Sequence, residues 1–137
     1  MGAWGTGPFE NDTALDWFTE LEEENSFSSL LRKIEEVVTD DYLEADIVSE
    51  AVASIAIFAA IKSNQSNFLP EFESSSLTEL RGLFLDKMDH NTYSLLEDAI
   101  EMIRRSDDNE LYDLMFQSDD LEEWLAYLEF FEEKLND

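Results

Sequence analysis

The chain has 137 residues, of which 44% are hydrophobic and 12% aromatic, and its 34 acidic residues against 8 basic ones give a net charge of −26. The apolar content suffices for a core and excludes an intrinsically disordered chain, while the charge excludes nucleic acid and anionic membranes as partners because both are themselves negative. The lack of cysteine excludes disulfides and thiolate catalysis and fits a reducing cytoplasm, the expected location. At this length we expect a single helical domain over residues 1–137.

The first twelve residues, MGAWGTGPFEND, contain three of the four glycines together with Trp4 and Phe9. They do not match a phosphate-binding loop, which needs a preceding strand or a following lysine, and Glu10 and Asp12 would repel an anion. Glycines also allow a backbone to turn tightly and to pass close to a neighbouring helix. We therefore expect a packed N-terminal plug in which Trp4 and Phe9 are buried.

Apolar residues at helical spacing predict three helices in the first half of the chain. The first covers residues 14–24 after the cap candidates Asn11, Asp12 and Thr13, the second covers residues 27–38, and the third covers residues 41–63. The run Ala51–Ile61 in the third helix is apolar on nearly all sides and is expected to be surrounded by other helices. The predicted inward residues of the first two helices are Ala14, Leu15, Phe18, Leu21, Phe27, Leu30, Leu31, Ile34, Val37 and Val38.

A polar loop over residues 63–76 separates these helices from those of the second half. A capping box of Ser76 and Glu79 starts the next helix, Asn91 caps the one after it, and residues 107–135 form two helices with a break near Ser118, where Ser118, Asp119 and Asp120 supply the N-cap. The predicted inward residues are Leu77, Leu80, Leu83, Phe84, Met88, Leu96, Ala99, Ile100 and Ile103, and in the last helix Trp124, Leu125, Leu128, Phe131 and Leu135. The expected fold is all-α, an array of about six helices.

The sequence offers little for catalysis. His90, the only histidine, lies in a polar junction between two helices and is interpreted as a solvated cap-region residue. The densest carboxylate clusters lack the glycine and glutamate spacing of a calcium loop, and we interpret them as solvated helix surfaces. We expect no enzyme activity and no cofactor; a divalent-cation-binding protein or metal-dependent enzyme that uses these carboxylates is the alternative hypothesis. The clusters are Glu10, Asp12 and Asp16, and Asp107, Asp108, Glu110 and Asp113.

The opening MGAWGTGPFEND resembles that of a family of small bacterial proteins known only as a domain of unknown function, whose members begin M-G-x-W-G-x-G-P-F-[DE]-N-D. The likeness continues more weakly through the alanine-rich EAVASIAIFAAI, the loop at Leu69 and Pro70, and the S-x-x-N-E-L-x-x-L segment that begins at Ser106 and leads to the helix of Trp124. The resemblance implies a helical single domain and no established activity. This chain is far more acidic than the family pattern, so a role that depends on charge would be its own.

The C-terminal segment is the strongest functional signal. From Asp107 to Asp137, twelve acids oppose only Lys134, and aromatic residues are interleaved with them. We predict a non-enzymatic binding domain that masks a basic protein partner such as a toxin or nuclease, as immunity proteins and DNA-mimic inhibitors do, with no nucleic acid or membrane partner. The other interpretation is a highly charged, solvated surface with no particular partner, and the oligomeric state is left open. The candidate partner-binding residues are Tyr112, Asp113, Asp119, Asp120, Glu123, Tyr127 and Phe130.

Overall fold

The computed structural model describes residue 7 and residues 13–18, 27–65 and 74–136. These residues form an all-α fold with seven helical segments, which confirms the predicted class and adds one segment to the six or so expected. A 3-10 turn, Leu85–Lys87, follows the fourth helix. The segments are α1 (residues 13–18), α2 (Phe27–Thr39), α3 (Ala45–Ser63), α4 (Ser74–Phe84), α5 (His90–Ile103), α6 (Glu110–Gln117) and α7 (Leu121–Leu135).

Helix α3 is the centre of the fold. Every residue from Ala51 to Ile61 is buried, as predicted, and α3 contacts α2, α4, α6 and α7. Ser54 is the one polar residue of this run, and its hydroxyl donates to the carbonyl oxygen of Leu30 in α2 at 2.8 Å. This hydrogen bond satisfies a buried polar group and ties α2 to α3. Within the described ranges, no helix combines the length and the apolarity that are needed to cross a membrane.

Three phenylalanines join α2, α3 and α4. The ring of Phe27 meets that of the fully buried Phe58 edge-on, with centroids 5.8 Å apart, and lies 5.6 Å from the ring of Phe84. Aromatic pairs in this range add to the stabilisation that comes from burial alone. In the α2 stripe, the structure buries Leu30, Ile34 and Val37 and leaves Phe27, Leu31 and Val38 half-buried against the core.

Most of the predicted N-terminal plug falls outside the described residues. The residues of this prediction that are not described are Trp4, Phe9, Asn11, Asp12 and the end of the predicted first helix, including Leu21. Gly7 is described and is buried. In α1, Ala14 and Phe18 are buried as predicted, and Trp17 is buried as well. Leu15 is half-buried against the core.

Three predicted helix starts are wrong, and for two of them the structure shows the contacts that set the boundary. Helix α3 begins at Ala45 rather than residue 41, since Leu43 pairs with another segment. Helix α4 begins at Ser74, so Ser76 is its third residue and not its N-cap. Helix α5 is capped by Asp89 rather than Asn91: the Asp89 carboxylate accepts from the backbone N–H and the hydroxyl of Thr92 at 3.0 and 3.1 Å.

Leu83 is the apolar residue whose burial was predicted wrongly, and its side chain is 45% exposed. Leu77, Leu80 and Phe84 are buried and define the side of α4 that faces the core. Helical geometry turns Leu83 by about 90° from the middle of that side. The following Met88 is buried as predicted, as are Leu96, Ala99, Ile100 and Ile103 of α5.

The predicted break near Ser118 is confirmed, since α6 ends at Gln117 and α7 begins at Leu121. The expected capping chemistry is not found there: the Asp120 side chain makes no cap hydrogen bond and accepts instead from the Ser118 hydroxyl at 2.9 Å. Asp119 turns the chain with a positive φ of 62°. In α7, Trp124, Leu128, Phe131 and Leu135 are buried as predicted, and Leu125 is half-buried.

Candidate protein-binding surface

The loop before α3 is joined to the start of α6 by a short parallel pairing of the backbone. The N–H of Leu43 donates to the carbonyl oxygen of Asp108 at 2.8 Å, and the N–H of Glu110 donates to that of Leu43 at 2.9 Å. The Glu110 carboxylate then accepts from the N–H of Ala45 at 2.7 Å and so caps α3 from outside that helix. We call these contacts the junction.

Asn109 holds the junction together from inside. Its side chain is 1% exposed and donates through Nδ2 to the carbonyl oxygens of Ile103 and Arg105 at 2.7 and 3.3 Å. Its Oδ1 accepts from the N–H of Tyr112 at 3.1 Å, which makes Asn109 the N-cap of α6. One amide therefore links the end of α5 to the start of α6 and uses both its donors and its acceptor.

An aromatic ring stands among carboxylates at the junction. Tyr42 is 50% exposed. Partial desolvation and then the negative charges of four carboxylates raise the pKa of its hydroxyl, which stays protonated. We call this aromatic residue and the acids around it the Tyr42 patch; its members are Tyr42, Glu44, Asp108, Glu110 and Asp113.

The junction brings together two stretches of chain that contain no lysine or arginine. Residues 34–61 carry 7 acids and residues 106–133 carry 11, with no basic residue in either. The ion pairs between described residues that reach these stretches involve Glu36, Glu50 and Glu132, and none of them includes a carboxylate of the Tyr42 patch. The negative charge of the patch is therefore not neutralised by a salt bridge within the part of the chain that the structure describes.

The predicted partner-binding residues fall in three places. Asp113 is exposed and belongs to the Tyr42 patch, whereas Tyr112 is half-buried and packs edge-on against the buried ring of Trp124, with centroids 6.3 Å apart. Asp119 and Asp120 form the turn between α6 and α7. Glu123, Tyr127 and Phe130 share one side of α7 by helical spacing.

The two aromatic residues on that side of α7 are less accessible than the sequence suggested. Tyr127 and Phe130 are half-buried and pack against the core, and both lie near Phe131, at 6.2 and 5.9 Å between ring centroids. The ammonium group of Lys134 sits 5.3 Å from the Phe130 ring centroid. A cation therefore already occupies a face of this ring.

Two exposed aromatic residues were missed as contact candidates. Tyr42 lies in the acidic run D-D-Y-L-E-A-D. Phe116 is one of the aromatic residues interleaved with the C-terminal acids and is 66% exposed in the structure. Phe116 falls opposite the buried Leu111 of α6, since the two are five residues apart. The exposure of Phe116 could have been predicted from the sequence, because this aromatic residue lies outside the apolar stripe of a short helix.

The carboxylates that were considered for metal binding have other structural roles or stay apart. Glu110 caps α3, and Asp108 adopts a positive φ of 50° in the junction. Asp16 is exposed on α1, while Glu10 and Asp12 lie outside the described residues. Within the described ranges, no three acidic or histidine side chains converge as a metal site would require. His90 is exposed at the first position of α5, as predicted.

The fold raises the pKa of one carboxyl group away from the Tyr42 patch and lowers the pKa of two others. Burial raises the pKa of Glu50, and the ammonium of Lys33 at 3.3 Å only partly offsets this effect. Hydrogen bonds from Thr92 lower the pKa of Asp89, and the guanidinium of Arg104 lowers that of Glu101. Where the pKa of a carboxyl group is raised in the folded state, the fold gains stability as the pH falls toward the ordinary pKa of that group. Where the pKa is lowered, the fold loses stability as the pH falls below the ordinary pKa.

We expect the Tm to rise as the pH falls from about 8 to about 5, because protonation of Glu50 favours the folded state and the repulsion that comes with the net charge of −26 is reduced. Below about pH 4 the Tm should decrease, because protonation of Asp89 and Glu101 removes interactions that the folded state makes with their carboxylates. Thermal unfolding followed by circular dichroism across this range measures the profile. A Glu50→Gln variant should gain less on acidification than the wild type. A Tm that only decreases from pH 8 to 5 would contradict this account.

Comparison with known proteins gives a family but no activity. The family model described as a domain of unknown function (DUF4259) matches residues 2–127, which include α1 to α6 and the first half of α7. No curated protein and no solved structure matches the chain.

Proposed function

We propose that this chain, which belongs to the DUF4259 family, is a non-enzymatic binding domain that masks the basic surface of a partner protein. The observation that carries the proposal is the junction between Leu43 and Asn109, because it sets two base-free, acidic stretches of chain side by side. A surface of one sign attracts an oppositely charged protein and speeds its association.

The Tyr42 patch is the proposed centre of that surface. Binding interfaces are commonly anchored by aromatic side chains that are surrounded by polar groups, and Tyr42 is a half-exposed ring among four carboxylates. Asp119, Asp120 and Glu123 extend the negative charge from the end of α6 to the first turn of α7. In the proposal, these acids steer the partner and Tyr42 contacts it.

The partner class follows from charge. A protein with a nucleic-acid-binding surface, such as a nuclease or toxin, presents the cations that this patch would attract, so the domain would act as an immunity protein or DNA mimic. Nucleic acid itself is not proposed as a partner, since the net charge of −26 repels it. We place the domain in a bacterial cytoplasm in this proposal; the absence of cysteine supports a reducing compartment.

A charge-matched capture experiment tests the proposal. The patch variant carries Glu44→Gln and Asp113→Asn, and the control carries Glu97→Gln and Asp98→Asn on the exposed side of α5. Both variants lose two negative charges, and neither alters Glu110, which caps α3. Immobilised wild-type protein should capture a basic protein from an extract of its source organism at about 50 mM salt and release it at about 500 mM.

The control should retain this partner while the patch variant loses it. Equal capture by both variants would show that only total charge matters and would contradict the patch as the binding centre. No basic protein captured by the wild type at low salt would contradict the function itself. Masking further requires that the captured protein loses its nucleic-acid binding when the domain is added, as measured by fluorescence anisotropy of a labelled duplex.

A further inference from the structure

Helix α6 carries an exposed aromatic residue beside the Tyr42 patch. Phe116 is 66% exposed and is the most exposed large hydrophobic residue within the described ranges. Helical spacing places it on the same outer side of α6 as Asp113 and Gln117, opposite the buried Leu111. We call Glu110, Asp113, Phe116 and Gln117 the α6 outer face.

The α6 outer face and Tyr42 form one surface. Asp113 and Glu110 both belong to this face and both raise the pKa of the Tyr42 hydroxyl, while the backbone pairing of Leu43 with Asp108 and Glu110 fixes the two segments together. Asp113 therefore relates the two exposed aromatic residues: its charge acts on Tyr42, and Phe116 lies three residues after it on the same side of α6. The surface combines apolar contact area with negative charge.

We propose that this surface receives an amphipathic helix of the partner protein, with arginine or lysine residues beside its apolar ones; the inference rests on the proposed function and specifies its partner segment. Charge complementarity selects a basic segment. Asp113 and Phe116 are about one helical turn, ~5 Å, apart along α6, which is the spacing between a residue and its i+3 or i+4 neighbour on a second helix. An apolar residue of the partner helix thus meets Phe116 while a cation one turn away meets Asp113.

Other occupants fit the surface less well. An extended segment would need unpaired backbone groups to add to, and the junction already uses the N–H and C=O of Leu43 for pairing within the chain. A second copy of this chain also carries a net charge of −26, so the two copies would repel each other. The partner helix avoids both difficulties.

Binding of a synthetic peptide tests the inference. The probe is an amphipathic peptide of about 18 residues, ~27 Å long as a helix, with arginine and leucine on one side, and its scrambled sequence is the comparison. The variants are Phe116→Ala and Tyr42→Ala, and Leu83→Ala on α4 is the control, because it removes an apolar side chain elsewhere whose exposure of 45% is close to the 50% of Tyr42. All three leave the net charge unchanged and replace exposed residues.

Isothermal titration at about 50 mM salt should show that Phe116→Ala and Tyr42→Ala each weaken peptide binding about tenfold, while Leu83→Ala changes it less than about twofold. The amphipathic peptide should also bind more tightly than its scrambled form. Equal binding by the two aromatic variants and the control would overturn the docking face, whereas the proposed function is judged separately by the charge-variant capture. Failure of the wild type to bind the peptide, or a change in the sedimentation of the protein alone on Phe116→Ala, would also overturn the inference.

Discussion

Replacing Asn109 with aspartate is expected to destabilise the fold by ~3–5 kcal/mol near neutral pH, although the two side chains have nearly the same shape. One carboxylate oxygen can still cap α6 by accepting from the N–H of Tyr112, because aspartate is as good an N-cap as asparagine. The other oxygen would face the carbonyl of Ile103, to which Nδ2 now donates at 2.7 Å. The substitution would therefore replace the Nδ2 donor with a buried, negatively charged oxygen that faces the carbonyl oxygen of Ile103.

The effect should depend on pH in a way that a cavity or a lost cap would not. Burial raises the pKa of a carboxyl group, and once protonated the new carboxyl group can donate to the Ile103 carbonyl. The loss in unfolding free energy relative to the wild type should therefore shrink as the pH falls to about 5. Asn109→Ala should cost about 2 kcal/mol at either pH, from the lost cap and the unsatisfied carbonyls.

Urea unfolding of the wild type and variants at about pH 7.5 and pH 5 measures these differences. Asn91→Asp is the matched control, since it makes the same chemical change at an exposed site in the first turn of α5, where a negative charge is tolerated. We expect it to change the free energy of unfolding by less than ~0.5 kcal/mol. If Asn109→Asp were as mild as Asn91→Asp, or equally severe at both pH values, the proposed role of the amide would be wrong.

The predictions from sequence succeeded where a local pattern alone decides the outcome. The all-apolar run Ala51–Ile61 could be assigned to a central helix because a helix without a polar side has to be covered by its neighbours. The break at Ser118 was predictable because three cap-forming residues interrupt two apolar stripes. In both cases, the residues that cause the feature are neighbours in the sequence.

Features made by residues far apart in the sequence were not predictable in this way. The start of α3 depends on Glu110, which lies 65 positions after the N–H that it caps. The Tyr42 patch exists because the junction brings residues near position 43 next to those near position 109. Leu83 fits a helical stripe, but its exposure was decided by which side of α4 meets α3.

The candidate surface and the stability of the fold therefore depend on the same contacts at the junction. Asn109 positions the first turn of α6, Glu110 in that turn caps α3, and the pairing with Leu43 holds Tyr42 beside Asp113. A change at Asn109 should weaken partner binding as well as folding. Changes at the exposed rings of Tyr42 and Phe116 should weaken binding alone, because neither ring is part of the buried core.

The core makes the opposite prediction: Phe58→Ala should lower the free energy of unfolding by ~3–5 kcal/mol and the Tm by roughly 10–20 °C, while leaving the residues of the proposed surface unchanged. Phe58 is fully buried in α3, and its ring meets that of Phe27, which in turn contacts Phe84. Removing the ring would leave a cavity between α2 and α3 and would end the aromatic contact across them. The neighbouring side chains can fill such a cavity only in part, because α3 is surrounded by other helices.

Phe58→Leu and Leu83→Ala separate this effect from a general sensitivity to substitution. Phe58→Leu keeps most of the side-chain volume and should cost about 1–1.5 kcal/mol, whereas Leu83→Ala removes a 45% exposed side chain and should cost less than ~1 kcal/mol. Urea and thermal unfolding measure all three. If Phe58→Ala were no more destabilising than Leu83→Ala, α3 could not be the packed centre on which the other helices, and the surface that α6 presents, depend.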